Sequence, residues 1–202
     1  MEAANEVDLA RRLLSGDEGA FEQFVEHFRR KLFQYSYLMC GQREDAEEVS
    51  QETLLKVFES FRQLREPERV RSWVFRIARN FCYMKRRKSV FAPDEEISLD
   101  AVMPAFRENG GERKLEIADW TSLPDEQVLQ SELRDTLQDA IRSLPDIYKS
   151  VLLLRDVEEL SGEEAAEVLD ISLDTVKTRL HRARLMVRKR MDAYLRGVEL
   201  RA

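Results

Sequence analysis

Residues 160–191 read LSGEEAAEVLDISLDTVKTRLHRARLMVRKRM, and this stretch decides the fold of the C-terminal part of the chain. Apolar residues recur at helical spacing on both sides of a short break, which predicts a helix over 162–169, a three-residue turn and a longer helix over 173–194. Ser161 followed by Glu164 fits a capping box at the start of the first helix. Two helices joined by so short a turn, the second one basic, are typical of a helix-turn-helix.

The longer of these two helices has two contrasting faces. Its predicted inward stripe consists of Val176, Leu180, Ala183 and Val187. Its outward side carries Lys177, Thr178, His181, Arg182, Arg184 and Arg188. Residues 175–191 hold seven Lys and Arg and no acid, and cations crowded on one helix repel one another unless a polyanion is near. We therefore expect this helix to lie in the major groove of duplex DNA; the alternative is a basic helix that only faces solvent.

The segment 43–61, REDAEEVSQETLLKVFESF, fits one amphipathic helix with an acidic face. Its predicted inward residues are Ala46, Val49, Leu54, Val57, Phe58 and Phe61. Its predicted outward residues are Glu44, Glu48, Gln51, Glu52, Leu55 and Glu59. Such a face is usually just solvated. The alternative is that it docks a basic protein, because like charges on one helix cost stability unless a partner uses them.

The segment 71–88, RSWVFRIARNFCYMKRRK, fits a second basic helix. Its predicted core residues are Val74, Ile77, Ala78 and Phe81. The opposite stripe is predicted to carry Ser72, Arg76, Asn80, Tyr83 and Arg87, with Trp73 and Arg79 at its edges. Cations that follow phosphates, interleaved with rings and an amide that meet unstacked bases, suit single-stranded nucleic acid. The alternative is that Trp73 and Tyr83 are partly buried core aromatics on an ordinary basic helix.

The rest of the chain organises these segments into two all-helical domains. Further helices are predicted near 6–14, 18–39, 125–143 and 146–156. Three of the five prolines and a Gly-Gly pair lie between residues 91 and 124, which predicts a flexible linker. The net charge of −6 divides into +2 over 1–90, −9 over 91–140 and +1 over 141–202. We therefore predict an all-α protein with domains at 1–90 and 125–202, and an acidic linker at 91–124 between them.

Several classes of protein are disfavoured by what the sequence lacks. No apolar run approaches the ~20 residues that span a bilayer, and the N-terminus does not resemble a signal peptide, so we expect a cytoplasmic protein without membrane insertion. Cys40 and Cys82 stand 42 positions apart without a CxxC motif, which argues against a disulfide framework or a zinc site. Nucleotide-binding and catalytic motifs are absent. We expect no cofactor, no metal and no enzymatic activity.

In their order and spacing, the three segments resemble the sigma-70 family of bacterial transcription initiation factors, in particular its extracytoplasmic-function (ECF) group. DAEEVSQETLLKVFESF is similar to the segment by which the family docks on the coiled coil of the RNA polymerase β′ subunit. RSWVFRIARNFCYMKRRK is similar to the segment that opens and reads the minus-10 promoter element. The stretch from Leu144 to Arg184 resembles the helix-turn-helix that reads the minus-35 element. The resemblance makes 1–90 a region 2-like domain and 125–202 a region 4-like domain.

The resemblance also implies site residues. The implied polymerase-docking residues are Asp45, Glu48, Gln51 and Glu52. The implied minus-10 residues are Phe61, Arg65, Trp73, Arg76, Asn80, Tyr83 and Arg87, with the connection 61–68 capturing a flipped base. The implied minus-35 residues are Lys177, Thr178, His181, Arg182 and Arg184. Two positions depart from the family pattern: Gly162 replaces a larger residue, and Asp170 replaces the glycine of the turn, although Asp tolerates a left-handed conformation.

The implied function is to bind core RNA polymerase, through its β′ coiled coil and β flap, direct it to promoters and nucleate strand opening. The implied DNA partners are duplex promoter and the unpaired non-template strand, and an anti-sigma factor is the implied inhibitor. Two alternatives remain open at this point: a helix-turn-helix regulator that acts without polymerase, and a sigma-like decoy that only titrates an inhibitor. Because each domain has a modest core, we expect the free protein to close its two halves on each other or on an inhibitor.

Overall fold

The computed structural model describes residues 2–89 and 126–195, and within these ranges the chain forms eight α-helices and no strand. The helices are α1 Glu2–Leu14, α2 Glu18–Cys40, α3 Arg43–Ser60, α4 Val70–Ser89, α5 Glu126–Arg142, α6 Asp146–Leu152, α7 Gly162–Leu169 and α8 Leu173–Leu195. The predicted all-α class is confirmed. The predicted linker at 91–124 lies outside the described residues.

Short helical turns replace regular helix at three places. The turns Phe61–Gln63 and Pro67–Arg69 are 3-10 helices that connect α3 to α4. The helix predicted over 146–156 is regular only as far as Leu152, and Leu153–Val157 is wound as a π-helix. Wider winding is rare and places one extra residue in a turn, so it changes the direction in which the chain leaves α6.

Local signals explain where α2 begins and ends. The side chain of Asp17 accepts a hydrogen bond from the backbone N–H of Gly19 at 3.0 Å, which satisfies one of the free donors of the first turn. At the other end Gly41 has a φ of 84°, the left-handed conformation that ends helices and that glycine adopts at little cost. The 23 residues of α2 between these caps form the longest helix of the N-terminal half, which we define as α1–α4.

Aromatic side chains fill the core of the N-terminal half. Phe24 and Phe28 on α2 are fully buried with ring centroids 4.5 Å apart, and Tyr35 packs edge-to-face against Phe75 of α4. Large rings bury much apolar surface and prefer tilted or edge-to-face contacts, so they hold α2 against α4 in one arrangement. The exposed positions of α3 and α4 are oriented by this packing.

The C-terminal half, which we define as α5–α8, packs directly against the N-terminal half. The Arg142 guanidinium donates to the carbonyl oxygen of Gly41 and lies 4.5 Å from the ring centroid of Tyr37. Arg86 on α4 donates to the carbonyl oxygen of Met39 at 2.8 Å and pairs with Asp146 of α6 at 2.5 Å. The two halves are therefore closed on each other, as expected from their modest cores.

A group of charged side chains is buried where α1, α2 and α4 approach the turn that follows α6. Glu6 is 1% exposed, and one of its carboxylate oxygens lies 2.8 Å from both the His27 ring and the Lys31 ammonium. Its other oxygen lies 3.5 Å from Arg71. Glu158, at the end of the π-helical turn, is also buried. Buried charges cost least when they are paired, as Glu6 is by its three neighbours on α2 and α4. Glu158 has no such ion pair among the described contacts, so its burial disfavours the charged form.

Candidate nucleic-acid and protein interfaces

The helix-turn-helix forms as the sequence predicts, with every local signal in use. The Ser161 hydroxyl accepts from the backbone N–H of Glu164 at 3.1 Å, while the Glu164 carboxylate accepts from the N–H of Ser161 at 2.6 Å. Asp170 ends α7 with a φ of 56°, so it does adopt the left-handed conformation. Ser172 then caps α8 by accepting from the N–H of Thr175 at 3.1 Å. These contacts fix the angle at which α8 leaves the turn.

Burial of one face of α8 determines which residues are presented to solvent. Val176, Leu180 and Ala183 are buried against the rest of the C-terminal half, as predicted, whereas Val187 is half-buried. The predicted contact residues Lys177, Thr178 and His181 are exposed on the first turns of α8. Lys177 lies 3.3 Å from the Asp174 carboxylate, and the Thr178 hydroxyl donates to the Asp174 carbonyl at 2.9 Å.

Two predicted minus-35 arginines are engaged within the protein. Arg184 is exposed, but its guanidinium forms two hydrogen bonds with the Asp156 carboxylate at 2.6 and 2.9 Å, and this contact raises its pKa further. Arg182 was expected beside the outward stripe; it is half-buried instead, with its guanidinium 3.5 Å from the Tyr148 hydroxyl. The Nε of this guanidinium is buried, so the charged head itself is partly enclosed by the C-terminal half.

The predicted minus-10 face of α4 is partly covered by α7. One guanidinium nitrogen of Arg76 donates to the Glu167 carbonyl at 2.7 Å and lies 3.2 Å from its carboxylate, to which Arg69 also reaches at 3.4 Å. Asn80 is exposed, and Arg65 is exposed on the connection before α4. The contact between Arg76 and Glu167 places α7, a helix of the region 4-like half, against α4, the helix predicted to read the minus-10 element.

The aromatic residues of this face are not free in solvent. Trp73 is half-buried with its ring edge-to-face with Phe61 at 5.9 Å, and Tyr83 is half-buried with the Arg79 guanidinium 4.8 Å from its ring centroid. Trp73 is therefore a partly buried aromatic, as one of the two predicted interpretations has it, and its contact with nucleic acid stays a prediction. Arg87 lies in the last turns of α4.

Two residues assigned to the nucleic-acid face are instead buried. Phe61 is only 8% exposed, because its ring inserts between Phe24 and Trp73 at the start of the 3-10 turn. Phe61 therefore anchors the connection between α3 and α4 to the core, and its ring is not available to a base in this structure. Ser72 was expected on the outward stripe, but it is 2% exposed and its hydroxyl donates to the Arg69 carbonyl at 3.0 Å.

The predicted docking face of α3 combines carboxylates with an unexpected apolar surface. Glu48 and Gln51 are exposed, and Asp45 and Glu52 are half-exposed. Lys85 of α4 pairs with Glu48 and lies 3.8 Å from Asp45, and the hydrogen bond to Glu48 raises the pKa of Lys85.

Leu55 and Phe58 are both 59% exposed next to this acidic face. Phe58 was predicted to point inward, and that prediction is wrong. Ala46, Val49 and Val57 are buried on the inner face of α3, as predicted. The rest of that face is formed by Ser50, Thr53 and Ser60, whose hydroxyls donate to carbonyl oxygens four residues earlier. A hydroxyl satisfied in this way is no obstacle to burial. The ring of Phe58 lies edge-to-face with that of Phe21, with ring centroids 4.8 Å apart.

The chain matches two family models, "Sigma-70 region 2" over residues 24–90 and "Sigma-70, region 4" over residues 134–187. It is 30% identical over 183 residues to ECF RNA polymerase sigma factor SigW of Bacillus subtilis, an alignment that covers 90% of this chain and 94% of SigW. The chain belongs to the sigma-70 family, in its ECF group. This sigma factor is also 28% identical over 188 residues to the ECF RNA polymerase sigma-E factor of Haemophilus influenzae, covering 91% of this chain and 94% of the relative.

Two solved structures share the fold. CnrH in complex with the cytosolic domain of CnrY matches with a TM-score of 0.62 at 22% identity, over 96% of this chain and 99% of CnrH. RpoE in complex with the anti-sigma factor NepR from Bartonella quintana matches with a TM-score of 0.60 at 22% identity, over 85% of this chain and 96% of RpoE.

Family membership decides between the functions that the sequence left open. A match across both halves favours a sigma factor over a helix-turn-helix regulator that would use residues 161–191 alone. This sigma factor is therefore a transcription initiation factor that directs RNA polymerase to promoters. Among the helices that the structure describes, none is long and apolar enough to cross a membrane. Within the same residues, no group of His, Cys, Asp and Glu is arranged to hold a metal ion.

Sequence reasoning missed the residues that join the halves. Glu167, Arg142 and Asp146 make contacts with partners 60 to 101 positions away in the chain. Such pairs produce no local periodicity or spacing signal. The exposed pair formed by Leu55 and Phe58 was only half recognised, because Leu55 was placed outside and Phe58 inside.

Proposed function

We propose that this sigma factor binds core RNA polymerase through α3, reads the minus-35 element with α8 and traps the unpaired minus-10 strand against α4. The observation that carries the proposal is the face of α8, where Lys177, Thr178 and His181 are exposed together on a helix held by a capped turn. Donors on the first turns of a rigidly placed second helix are what a helix-turn-helix uses to reach base edges.

The minus-35 contact requires α8 to exchange partners. Arg184 would leave the Asp156 carboxylate for a phosphate or a guanine edge, both of which accept two parallel hydrogen bonds from a guanidinium. Each good bidentate pair with a base discriminates by about 1–3 kcal/mol. Arg182 would have to turn its guanidinium away from the Tyr148 hydroxyl before it could reach the groove.

The minus-10 contact requires α4 to separate from α7. Arg76 is held by Glu167 in the closed protein, so the stripe of Arg76 and Asn80 becomes continuous only when the halves part. An extruded base would then stack on the accessible side of Trp73, with Arg65 and Arg87 following the phosphates. Capture of one base offsets an unpairing cost of a few kcal/mol, which biases the duplex toward opening.

Docking on polymerase would use the exposed residues of α3. Glu48 and Gln51, with Asp45 and Glu52 at the edges, offer acceptors to a basic coiled coil of the β′ subunit. Leu55 and Phe58 add apolar surface beside them. Interfaces derive much of their affinity from such desolvated side chains, while the surrounding charges steer association. The region 4-like half would contact the β flap.

Regulation and location follow from the same proposal. The similar structures of CnrH and RpoE hold a domain of CnrY and the anti-sigma factor NepR respectively. For this chain we propose an anti-sigma factor of its own as inhibitor, and a cytoplasmic location beside polymerase. The chain supplies promoter selection and strand opening, and polymerase supplies nucleotidyl transfer.

Transcription with purified core polymerase on a library of genomic fragments tests docking, recognition and melting together. The wild-type chain should select discrete start sites. Lys177→Ala should reduce that selection by about tenfold while leaving polymerase binding unchanged, since a specific contact is worth about 1–3 kcal/mol. Lys189→Ala is the matched control, because it removes an exposed cation further along the same helix.

The docking surface needs its own pair of variants. Glu48→Lys with Glu52→Lys should abolish polymerase binding measured by size exclusion, without weakening binding of the chain to duplex promoter. Glu22→Lys with Glu26→Lys makes the same charge change at the same spacing on α2 and should have no effect. Normal polymerase binding by the α3 variant would show that docking is assigned to the wrong helix.

A further inference from the structure

The exposed face of α8 carries an acid in addition to the predicted contact residues. Asp174 is the second residue of this helix, and its side chain is 92% exposed. The exposed residues three, four and seven positions later on the same face are Lys177, Thr178 and His181. The Asp174 carboxylate accepts a hydrogen bond from the Lys177 ammonium at 3.3 Å. Asp174 was not predicted to contact DNA, yet it lies in line with the residues that were.

The stability of α8 does not by itself account for a carboxylate on this face. An acid in the first turn interacts favourably with the helix dipole, but an exposed ion pair such as that of Asp174 with Lys177 contributes little to stability. Ser172 already caps the helix by accepting from the N–H of Thr175 at 3.1 Å. On a face that meets DNA, a carboxylate is repelled by the phosphates. It weakens binding there unless it meets a hydrogen-bond donor of a base.

Cytosine is the base whose major-groove edge suits a carboxylate best. It presents the N4 amino group as a donor, with no acceptor beside it on the same base. Guanine presents only the acceptors N7 and O6, and thymine presents the acceptor O4 and a methyl group. Adenine has a donor at N6, but the acceptor N7 next to it repels a carboxylate. An aspartate that reaches the base edges therefore selects cytosine over the other three bases.

We propose that Asp174 and Lys177 together read one C·G base pair of the minus-35 element. The Asp174 carboxylate accepts from cytosine N4, and the Lys177 ammonium donates to guanine O6 or N7. The two groups of the protein are 3.3 Å apart, and N4 and O6 of a C·G pair hydrogen-bond to each other across about 2.9 Å. An acceptor and a donor of the protein thus face a donor and an acceptor of similar spacing. This inference rests on the proposed function, because it requires α8 to lie in the major groove.

The same pair of side chains discriminates between bases and phosphates. To bind a phosphate, Lys177 would have to leave the Asp174 carboxylate, which the phosphate repels. On a C·G pair both groups are satisfied while they stay next to each other. The carboxylate therefore opposes sequence-independent binding as well as binding to the wrong base, and it does so by repulsion.

Transcription by core polymerase with the full-length chain, on templates whose minus-35 region is randomised, tests the inference. The templates that yield transcripts are sequenced, and the preference for each base is counted at each position. With the wild-type chain we expect one position at which cytosine is preferred by about tenfold, as one good base contact provides. Asp174→Asn should move the preference at that position from cytosine to adenine, because an amide pairs with N6 and N7 of adenine. Its preferences at other base pairs should stay unchanged.

Two further variants test the pairing and provide a control. Lys177→Ala should weaken the preference at the same base pair that Asp174→Asn changes, since the two side chains read one pair. Glu163→Gln is the matched control, because it removes an exposed acid from the first turn of α7. It should leave every base preference unchanged.

The outcomes separate this inference from the proposed function. Base preferences of Asp174→Asn that equal those of the wild type, or a uniform gain on all templates, would overturn the inference and leave the proposed function standing. A Lys177→Ala variant that relaxes a different base pair would also overturn it. If the wild-type chain selected no start sites at all, the proposed function and this inference would both be wrong.

Discussion

Replacing Glu158 with Gln should stabilise this protein strongly at pH 8 and only weakly at pH 5. Glu158 is 3% exposed where the turn after α6 meets the N-terminal half. Burial raises the pKa of its carboxyl to about 7, with Lys31 and Arg71 acting to lower it and Glu6 and Glu159 to raise it. The carboxyl is therefore held most favourably in its neutral form, which glutamine imitates in shape.

The expected magnitude comes from the two pKa values. In the unfolded chain the carboxyl titrates near 4.5, and in the folded protein near 7. Stability from this group is complete below the unfolded pKa and is lost as pH rises through the folded pKa, because the folded state holds the proton more tightly. At about 1.4 kcal/mol per pKa unit, the free energy of unfolding of the wild type falls by about 1 kcal/mol at pH 5 and by about 3 kcal/mol at pH 8, relative to its value at low pH. The variant avoids both losses.

Urea denaturation followed by far-UV circular dichroism, at fixed ionic strength, measures the free energy of unfolding of both proteins at each pH. Glu22→Gln is the matched control, because it makes the same change at an exposed position on α2. A gain for Glu158→Gln that is equal at both pH values, or larger at pH 5, would refute the reasoning.

Three further changes test the helix-turn-helix and its contact with α4. Asp170→Gly should raise the free energy of unfolding by about 0.5–1 kcal/mol in urea titrations, because glycine adopts the left-handed conformation without the steric cost that Asp170 bears. The greater entropy of glycine in the unfolded chain offsets only part of this gain. Ser161→Ala should lower it by about 1 kcal/mol in the same titrations, through loss of the capping box. Glu167→Ala removes the partly exposed ion pair with Arg76, which is worth about 1 kcal/mol. The population of molecules whose halves are separated should therefore rise about fivefold. Energy transfer between fluorescent labels on the two halves measures this population. Glu163→Ala, one turn earlier on α7, should not change the transfer efficiency.

The helix-turn-helix could be predicted from sequence because its determinants are local. Ser161 and Glu164 stand three residues apart, and Asp170 tolerates the conformation that the turn requires. The stripe of Val176, Leu180 and Ala183 then repeats at helical spacing. Each signal involves residues within a few positions of one another, so no knowledge of the rest of the chain was needed.

The errors of prediction share a physical cause. Phe58 was placed inside because it is apolar, and Ser72 outside because it is polar. In the structure, hydroxyls such as that of Ser72 are buried because they donate to a backbone carbonyl three or four residues earlier, which removes the cost of burying them. Phe61 was assigned to a base-capturing connection by resemblance, but its ring has neighbours that only the assembled core reveals. Periodicity alone does not distinguish these cases.

Ion pairs within the protein occupy the cations of the proposed DNA-binding surfaces, and the pair of Arg76 with Glu167 also joins the two halves. Arg76 faces Glu167, Arg184 faces Asp156, and Lys177 lies beside Asp174. If α4 and α8 bind promoter as we propose, each phosphate must displace a carboxylate that already satisfies the same cation. The exchange replaces one ion pair by another, and partly exposed pairs contribute about 0–1 kcal/mol each. The net free energy of binding gained at any single phosphate is therefore small.

Sequence-independent binding to phosphates is therefore weakened more than binding to a cognate promoter, where base contacts add to the exchange. The intramolecular carboxylates thus favour selectivity over affinity. They also make separation of the halves and engagement of DNA parts of one equilibrium, since Arg76 cannot serve Glu167 and a phosphate at once.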